Sequence, residues 1–523
     1  MLSSSNLKSI ISSHFFLSFI LLFITFLTYF NILPNQLFFD DEELIYKNTY
    51  VSNIKYLPKF FTENMVAGAG KISNMYRPVL MVTFAADHFL WNNSPTGYHL
   101  TSIFLHAINA LLIYFLIYIL FRNRFLAFTT SVFFVVHPVQ SEAIIYASGR
   151  TDPLYTVFAL LTMIVFLYLC LSKTNLYLKW IGVIIFFVLS LLSKESAIVI
   201  PLILILLYFV LKDKKTFSLF KLIIIISPLI LISGIYIYLR LTVLNFANTL
   251  NFYPVNNIYS QNIFVRLLTF HRVLLEYLAL ISFPKDLTVA RDIPYITSLN
   301  NFSVIISIAI LIGTFWFSIR NWRKNRIYLF CLLWFLIAIL PVSGIVPINN
   351  IMSEHYLYLP SLSFFLLIAN FFCFLFQKFT NKYSRIIVFA SVILILSALS
   401  LRTIIRTFDW RDPIIFYTKS LNQSPWHIPM RNNLAMAYAE TGKIDLAIYE
   451  YKKIIDITDI YPNTHHNLAN AYKTLGKYKE AEDEYYKALK IDPNFYFSYF
   501  GLADLYQKTG EKEKFERIVK KIK

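Results

Sequence analysis

The sequence predicts an all-α integral membrane protein in two parts, a bundle of about eleven apolar helices followed by a polar solenoid of paired helices. Three observations predict this. The 523-residue chain has a mean hydropathy of +0.57 and only 15% charged residues, where a soluble domain carries about a quarter. Apolar runs long enough to cross a bilayer, ~20 residues each, recur as far as about residue 404. Beyond that point the composition turns polar and a repeat begins. The expected division is 1–404 for the membrane part, 405–428 for a connecting helix and 429–523 for the repeat array.

The apolar windows fall near residues 14–33, 98–121, 125–143, 152–171, 176–192, 196–211, 219–242, 302–319, 327–347, 356–378 and 385–401. Lys8 precedes a first apolar core too long for a signal peptide, with no small-residue cleavage pattern after it, so 14–33 reads as an uncleaved span. One further window, 264–283, carries Arg266, His271, Arg272 and Glu276, a heavy polar load for a lipid-exposed helix. Loop charges decide how to count it. Arg122 and Arg124, Lys173, the group Lys212, Lys214 and Lys215, the group Arg320, Arg323, Lys324 and Arg326, and the group Lys378, Lys382 and Arg385 lie between apolar runs. Leaving 264–283 out of the count puts every group on one side, the cytoplasmic side by the positive-inside rule. That window therefore reads as re-entrant, interfacial or buried. The N-terminus is then cytoplasmic, and the 34–97 loop and the polar tail share the external or luminal side.

This patterning also accounts for the net charge of +18. No basic groove with interleaved aromatics points to nucleic acid. Cys170, Cys331 and Cys373 lie singly in apolar runs and read as small hydrophobes.

In the tail, Leu434, Leu468 and Leu502 stand in register. So do Ala435, Ala469 and Ala503; Tyr438, Tyr472 and Tyr506; and Gly442, Gly476 and Gly510. Pro425 and Pro493 hold equivalent places ahead of the first and last Leu. This period, 34 residues, is that of tetratricopeptide repeats. Small Ala lets paired helices approach, Gly allows the turn between them, and Leu and Tyr fill the layers. Three helix pairs suffice for a stable stack. The segment from Trp410 to Leu421 reads as an extra helix ahead of the first pair. Such an array binds peptides along its concave face or serves as a structural cap.

The chemistry-bearing residues cluster on the predicted external side. The 34–97 loop is too long for a simple connector. It opens with Asp40-Asp41-Glu42-Glu43 and continues through Tyr76-Arg77-Pro78 and Asp87-His88. In the next helix His99, Ser102, His106 and Asn109 share one face, which must turn toward protein or water rather than lipid. Then come His137-Pro138, Glu142, Arg150-Thr151-Asp152, Lys194-Glu195 and Glu354-His355-Tyr356-Leu357-Tyr358-Leu359-Pro360. Carboxylates beside several cations suit a general base working next to a bound phosphate. The structural alternatives are interhelical hydrogen bonds for His99, His106, Asn109, His137 and Glu142, and local ion pairs of Arg150 with Asp152 and of Lys194 with Glu195. No metal-site spacing such as H-E-x-x-H is present. His99, His137 and the acids are the alternative metal set, and a divalent cation, Mg²⁺ or Mn²⁺, bridging a phosphate to Asp40 and Asp41 is the reading favoured over it. No P-loop or Rossmann fingerprint appears, which argues against a nucleotide donor.

The order of these motifs resembles a known family. An acidic pair after the first span, then YRP, a YH…H helix, HPVQSEA…GRTDP, SKE, EHYLYLP and a repeat tail is similar to the transmembrane and tetratricopeptide-repeat (TMTC-like) protein O-mannosyltransferases. These belong to the GT-C class of lipid-donor glycosyltransferases. The resemblance covers essentially the whole chain. It implies a GT-C-like helix bundle and an inverting transfer of mannose from a polyprenyl- or dolichyl-phosphate donor to a hydroxyl, Ser or Thr of an acceptor polypeptide. It implies a base at Asp40 or Asp41, with Asp41 preferred. Arg77, Arg150, Lys194 and His355 are the candidates for the lipid phosphate, and His99, His137 and Glu142 for orienting sugar or phosphate. The acidic run is longer here than in the family, and His355 stands where the family often has Arg. The short tail points to a prokaryotic relative and its plasma membrane.

Two other classes compete. A transferase of envelope polysaccharide would share the fold and the acids and differ in acceptor. A non-catalytic membrane-anchored scaffold would tolerate substitution throughout Asp40–Glu43.

Overall fold

A computed structural model describes residues 13–171, 174–211, 218–246, 257–348 and 350–522, and all regular structure among them is helical. Lys8, Lys173, Lys212, Lys214 and Lys215 of the charge series lie outside these residues. The chain divides into two compact units. One comprises Met1–Leu287 and Ile293–Trp410, the other Thr288–Asp292 and Arg411–Lys523.

Among the described residues, eight helices of the first unit are long and apolar enough to cross a membrane: His14–Ile32, Pro95–Phe121, Ser148–Leu171, Leu176–Ser193, Leu219–Leu241, Phe302–Arg320, Ser361–Lys378 and Lys382–Asp409. Three other expected windows form shorter apolar helices, Arg124–Val136, Glu195–Val210 and Ile327–Val342. Proline explains each. His137 turns extended ahead of Pro138 and ends the first, because a residue before proline is pushed out of the α region. Pro201 opens the regular part of the second after a 3-10 turn. Pro341 lies in the 3-10 turn that closes the third, where it removes a backbone donor. Large apolar side chains remain exposed along single helix faces, such as Phe15, Phe19, Phe23, Phe26 and Phe30 on the first helix. That is the surface expected of lipid contact. The Ile263–Ser282 helix keeps its polar load satisfied within the protein. Arg266 donates to the carbonyls of Tyr259, Ser260, Gly344 and Ile345, and Arg272 pairs with Glu276.

Pro95–Phe121 is central, packing against His14–Tyr29, Arg124–Val136 and Thr151–Leu171. Its polar face bonds to protein. His99 Nε2 lies 3.1 Å from the Asn35 carbonyl, and His106 Nδ1 lies 2.6 Å from the Tyr358 hydroxyl. Asn109 donates to the Pro153 carbonyl and the Tyr358 hydroxyl.

The 34–97 segment is folded rather than a loose loop. A π-helical turn at Glu42–Tyr46, a 3-10 helix at Ile54–Phe61 and an α-helix at Pro78–Trp91 surround a core of Leu37, Leu44, Ile45, Val51, Phe60, Met65, Leu80, Met81 and Phe84. Tyr98, Ala147 and Leu154 join this core from the neighbouring helices. The segment thus has its own apolar anchor on the bundle, and its acids are held in place.

In the second unit, Pro413–Gln423 packs on Ile428–Glu440. Three antiparallel pairs follow: Ile428–Glu440 with Ile444–Ile457, Pro462–Thr474 with Tyr478–Ile491, and Tyr496–Thr509 with Lys512–Ile522. Gly442, Gly476 and Gly510 close the turns at φ of 76°, 73° and 78°, a left-handed conformation that glycine holds without steric cost. The in-register Leu434, Leu468 and Leu502 are buried, as are Ala435 and Ala469, with Ala503 partly so, as in the cluster of Ala469, Ala481, Tyr485, Leu502 and Tyr506. One polar contact repeats as well. Arg431 pairs with Glu450, and one repeat later His465 pairs with Glu484. In the third pair Tyr499 and Ile518 hold those places and enter the apolar core.

Candidate active site

The acidic run begins where the chain leaves the first span. Phe39 has a φ of 65°, which a bulky side chain rarely adopts and which costs on the order of 1–3 kcal/mol. The π-helical turn follows directly, another feature that concentrates at functional sites. Together they send adjacent carboxylates in different directions.

Asp41 turns inward and is 2% exposed. Its Oδ1 accepts from the Ser148 N–H at 2.7 Å and from the Ser148 hydroxyl, and its Oδ2 accepts from the Ala147 N–H at 3.2 Å. Burial pushes its carboxyl up to about 7, the Ser148 and Ala147 donors pull against this, and the Asp40 charge adds to the rise. Asp40 stays exposed, yet enough protein surrounds it that burial pushes its pKa above the usual carboxylate range. The Tyr146 hydroxyl opposes that rise, Glu43 adds to it, and His355 and Lys71 oppose it. Glu42 and Glu43 belong to the surface. Glu42 pairs with Lys47, and Glu43 with Lys47 and Lys71. The four-acid run therefore separates into one pinned carboxylate, one open carboxylate and two carboxylates held in solvent-side ion pairs. The oxygens of Asp41 are committed to three donors, whereas Asp40 stays exposed.

The charge of His355 is felt at Asp40, and His355 in turn is held by Glu142. The buried Glu142 carboxylate meets His355 Nδ1 at 2.8 Å and accepts the His355 backbone N–H at 3.1 Å. Burial pushes its pKa up, but the contacts with His355 and the charge of Arg406 bring it below the usual value. Trp410 packs against Tyr146 with ring centroids 5.6 Å apart and lies 6.1 Å from the Phe38 ring, and Tyr146 also contacts Phe39. The open carboxylate thus adjoins an aromatic wall.

A second charged cluster adjoins the first through Tyr356, the neighbour of His355. Arg77 holds both oxygens of Glu195, at 3.1 and 3.3 Å. Lys194 holds both oxygens of Asp152, at 2.7 and 2.8 Å, and lies 5.4 Å from the Tyr356 ring. The expected Lys194–Glu195 pair does not form. Lys194 is extended (φ −157°, ψ 136°), so it and the next residue point to opposite sides. Nor does Arg150 pair with Asp152. It is fully buried, pairs with Asp87 at 2.5 Å, donates to the Tyr98 carbonyl at 2.6 Å and lies over the Phe84 ring. Its 3-10 turn aims it at the helices of the 34–97 segment and the central span instead of at its near neighbour.

His99 and His137 are not brought to Asp40. His99 meets the Asn35 carbonyl, and His137 the Ile281 carbonyl at 3.0 Å. Both act as buried links between segments. The structure gathers Asp40, Asp41, Glu142 and His355 on one side and Arg77 and Lys194 on the other. Among the described residues, no three His, Cys, Asp or Glu side chains converge as a metal site would require. Sequence reasoning missed Tyr146, Ser148 and Arg406. Tyr146 and Ser148 lie between two motifs already singled out, Glu142 and Arg150-Thr151-Asp152. Arg406 was detectable as an arginine at the edge of the last apolar window.

Comparison with known proteins places these features in context. The tetratricopeptide repeat family matches residues 428–460 and again 462–495. A protein O-mannosyl-transferase of Caenorhabditis elegans is 26% identical over 457 residues, covering 84% of this chain and 63% of that protein. The human protein O-mannosyl-transferase TMTC1 is 38% identical over 90 residues, 17% of this chain and 10% of its own. The Drosophila melanogaster protein O-mannosyl-transferase Tmtc1 is 26% identical over 182 residues, covering 34% and 20%. The chain therefore spans under two thirds of the length of these relatives. The similarity inferred from the order of motifs is the one these relatives bear out.

Proposed function

We propose that this chain is an integral-membrane glycosyltransferase that moves a sugar from a polyprenyl- or dolichyl-phosphate carrier to a hydroxyl of an acceptor polypeptide. The activity named for its relatives supports mannose as the sugar and protein as the acceptor. The observation that carries the reading is the division of labour between Asp40 and Asp41, one carboxylate open beside an aromatic wall and the other clamped behind it.

In this mechanism the acceptor hydroxyl approaches the anomeric carbon on the face opposite the lipid phosphate. A serine or threonine hydroxyl is too weak an acid to ionise beforehand, so Asp40 takes its proton as the new carbon–oxygen bond forms. The bond from the anomeric carbon to the phosphate oxygen breaks, its electron pair leaves with the lipid phosphate, and the configuration inverts. The phosphate is a stable anion and needs no general acid, but its growing charge needs cationic donors. His355, Arg77 and Lys194 are nearby candidates, each with a carboxylate partner of its own. Asp41 is a positioning residue that holds the Asp40 turn. Transfer takes place at the external or luminal face, and the repeat unit on that side receives the acceptor chain.

The test is transfer from a polyprenyl-phosphate mannose to acceptor peptide by purified protein. Asp40→Asn lowers the rate by about 10²–10⁴-fold, the usual worth of a positioned base, with thermal stability unchanged. Normal transfer by Asp40→Asn, or transfer to polysaccharide in place of peptide, overturns the reading.

A further inference from the structure

We infer that Arg406 grips the lipid phosphate through the Nε–Nη2 edge of its guanidinium, an inference that rests on the transferase reading above. Arg406 lies in the last turn of Lys382–Asp409 and is 3% exposed. Its Nη1 donates to Asp409 Oδ2 at 3.1 Å. Its Nε and Nη2 are buried and have no hydrogen-bond partner among the described residues. Buried donors of a charged group are ordinarily paired. These two are not an arbitrary pair. The Nε–H and the adjacent Nη2–H run parallel along one edge of the planar group and are the donors that take two oxygens of one carboxylate or phosphate together.

The other candidate cations of this unit are already engaged. Arg77 is held by Glu195, Lys194 by Asp152, Arg150 by Asp87 and the Tyr98 carbonyl, and His355 by Glu142. An arriving anion would have to break one of those pairs, whereas Arg406 offers an edge with no partner to displace. The setting is also right. The guanidinium lies 6.0 Å from the Trp410 ring, which packs against Tyr146 beside Asp40, and its charge is felt by Glu142. The ligand chemistry is a phosphate ester with two free oxygens. In the donor that phosphate carries one negative charge. As the bond to the anomeric carbon breaks it becomes a monoester with a second. A fixed bidentate donor gains most at that moment and so favours the transition state over the bound donor.

The experiment measures binding to the purified full chain in detergent, which requires no sugar transfer and so can fail or succeed independently of the Asp40 test. The probes are farnesyl monophosphate, farnesol and inorganic phosphate. Wild-type protein binds farnesyl monophosphate more tightly than farnesol. Arg406→Gln weakens farnesyl monophosphate by tenfold or more with farnesol unchanged, and Arg406→Lys, which keeps the charge without the fork, recovers part of the loss. Equal binding of farnesyl monophosphate by wild type and Arg406→Gln overturns the proposal, as does an equal loss for farnesol, which reports damage to the lipid groove. Competition by inorganic phosphate at the same concentration as the lipid ester assigns the edge to a free anion and overturns it too. Where Arg406→Gln does not yield folded protein, Arg406→Lys carries the comparison, and unchanged affinity there is the overturning result.

Discussion

Ser148 holds Asp41 twice, through its backbone N–H at 2.7 Å and through its hydroxyl, both on Oδ1. The two residues lie 107 positions apart in the chain. This clamp joins the turn that carries the acids to the start of a membrane-crossing helix, and it fixes the direction in which Asp40 faces.

Removing the Ser148 hydroxyl tests the clamp. Ser148→Ala deletes a hydrogen bond to a buried carboxylate that is worth about 1.5–3 kcal/mol. The expected result is a lower unfolding midpoint together with a partial loss of transfer, unlike the stable but inactive Asp40→Asn. A fully active and fully stable Ser148→Ala protein would show that the clamp does not position the site.

The base should leave its mark on the pH profile. Asp40 must be ionised to accept a proton, and burial raises its pKa, with Tyr146, His355 and Lys71 opposing and Glu43 adding to the rise. Activity should therefore climb with pH through an acid limb lying above the ordinary carboxylate value of about 3.9. The profile of kcat/KM against pH checks this. A limb at the ordinary value argues for a solvated carboxylate elsewhere.

The repeat unit carries a pH dependence of its own. Burial lowers the pKa of His465, but the hydrogen bonds its ring donates to the carboxylates of Glu484 and Asp459 outweigh it, and the folded-state pKa lies above 6.5. A group whose pKa rises on folding contributes its full stabilisation below the unfolded value and loses it as pH climbs through the folded one. The stability of the polar unit should accordingly decline as pH rises past 6.5. His465→Arg places in the second repeat the arginine that the first already has in Arg431–Glu450. Because arginine keeps its charge, this variant should retain stability at alkaline pH, measured by thermal unfolding across pH. A decline of the same size in the Arg variant would assign the effect to other groups.

Gly68 sits where no side chain fits. A Cβ there would come within 2.0 Å of Asn48 Oδ1 and 2.8 Å of the Tyr50 backbone N. Its carbonyl also accepts from the Thr49 N–H and hydroxyl. Gly68→Ala should cost about 1–3 kcal/mol, the usual penalty for overpacking. It should lower transfer as well, since the same segment carries Asp40. Limited proteolysis of the 34–97 segment and a thermal scan measure it, and wild-type resistance in both contradicts the close approach.

Much of the architecture was legible because it is written in local pattern. Apolar run length marks membrane helices, and the recurrence of Leu434, Ala435, Tyr438 and Gly442 marks the repeat. Where windows proved shorter than expected, the prolines at 138, 201 and 341 had been visible all along, with their effect outweighed by hydropathy. The folded core of the 34–97 segment was harder to see, since its apolar residues are spread among turns and short helices with no single period. At the candidate site, the motifs named Asp40, Asp41, Glu142 and His355, but not the partners of Arg150 and Lys194. Adjacent residues in sequence suggested Asp152 and Glu195, and the actual partners come from Asp87, far back in the chain, and from Asp152 approached by Lys194.

By itself the sequence determined that this is a membrane bundle with a polar repeat unit, and that acids gather after the first span. Those properties depend on burial preference and helical periodicity, which act over a few neighbouring residues. Only the tertiary structure decided which carboxylate is open, which cations are spoken for and that Arg406 keeps an unpaired edge. Ion pairs and hydrogen bonds form within about 3–4 Å, and at that range the deciding neighbour is set by how distant segments pack rather than by what stands next in the chain.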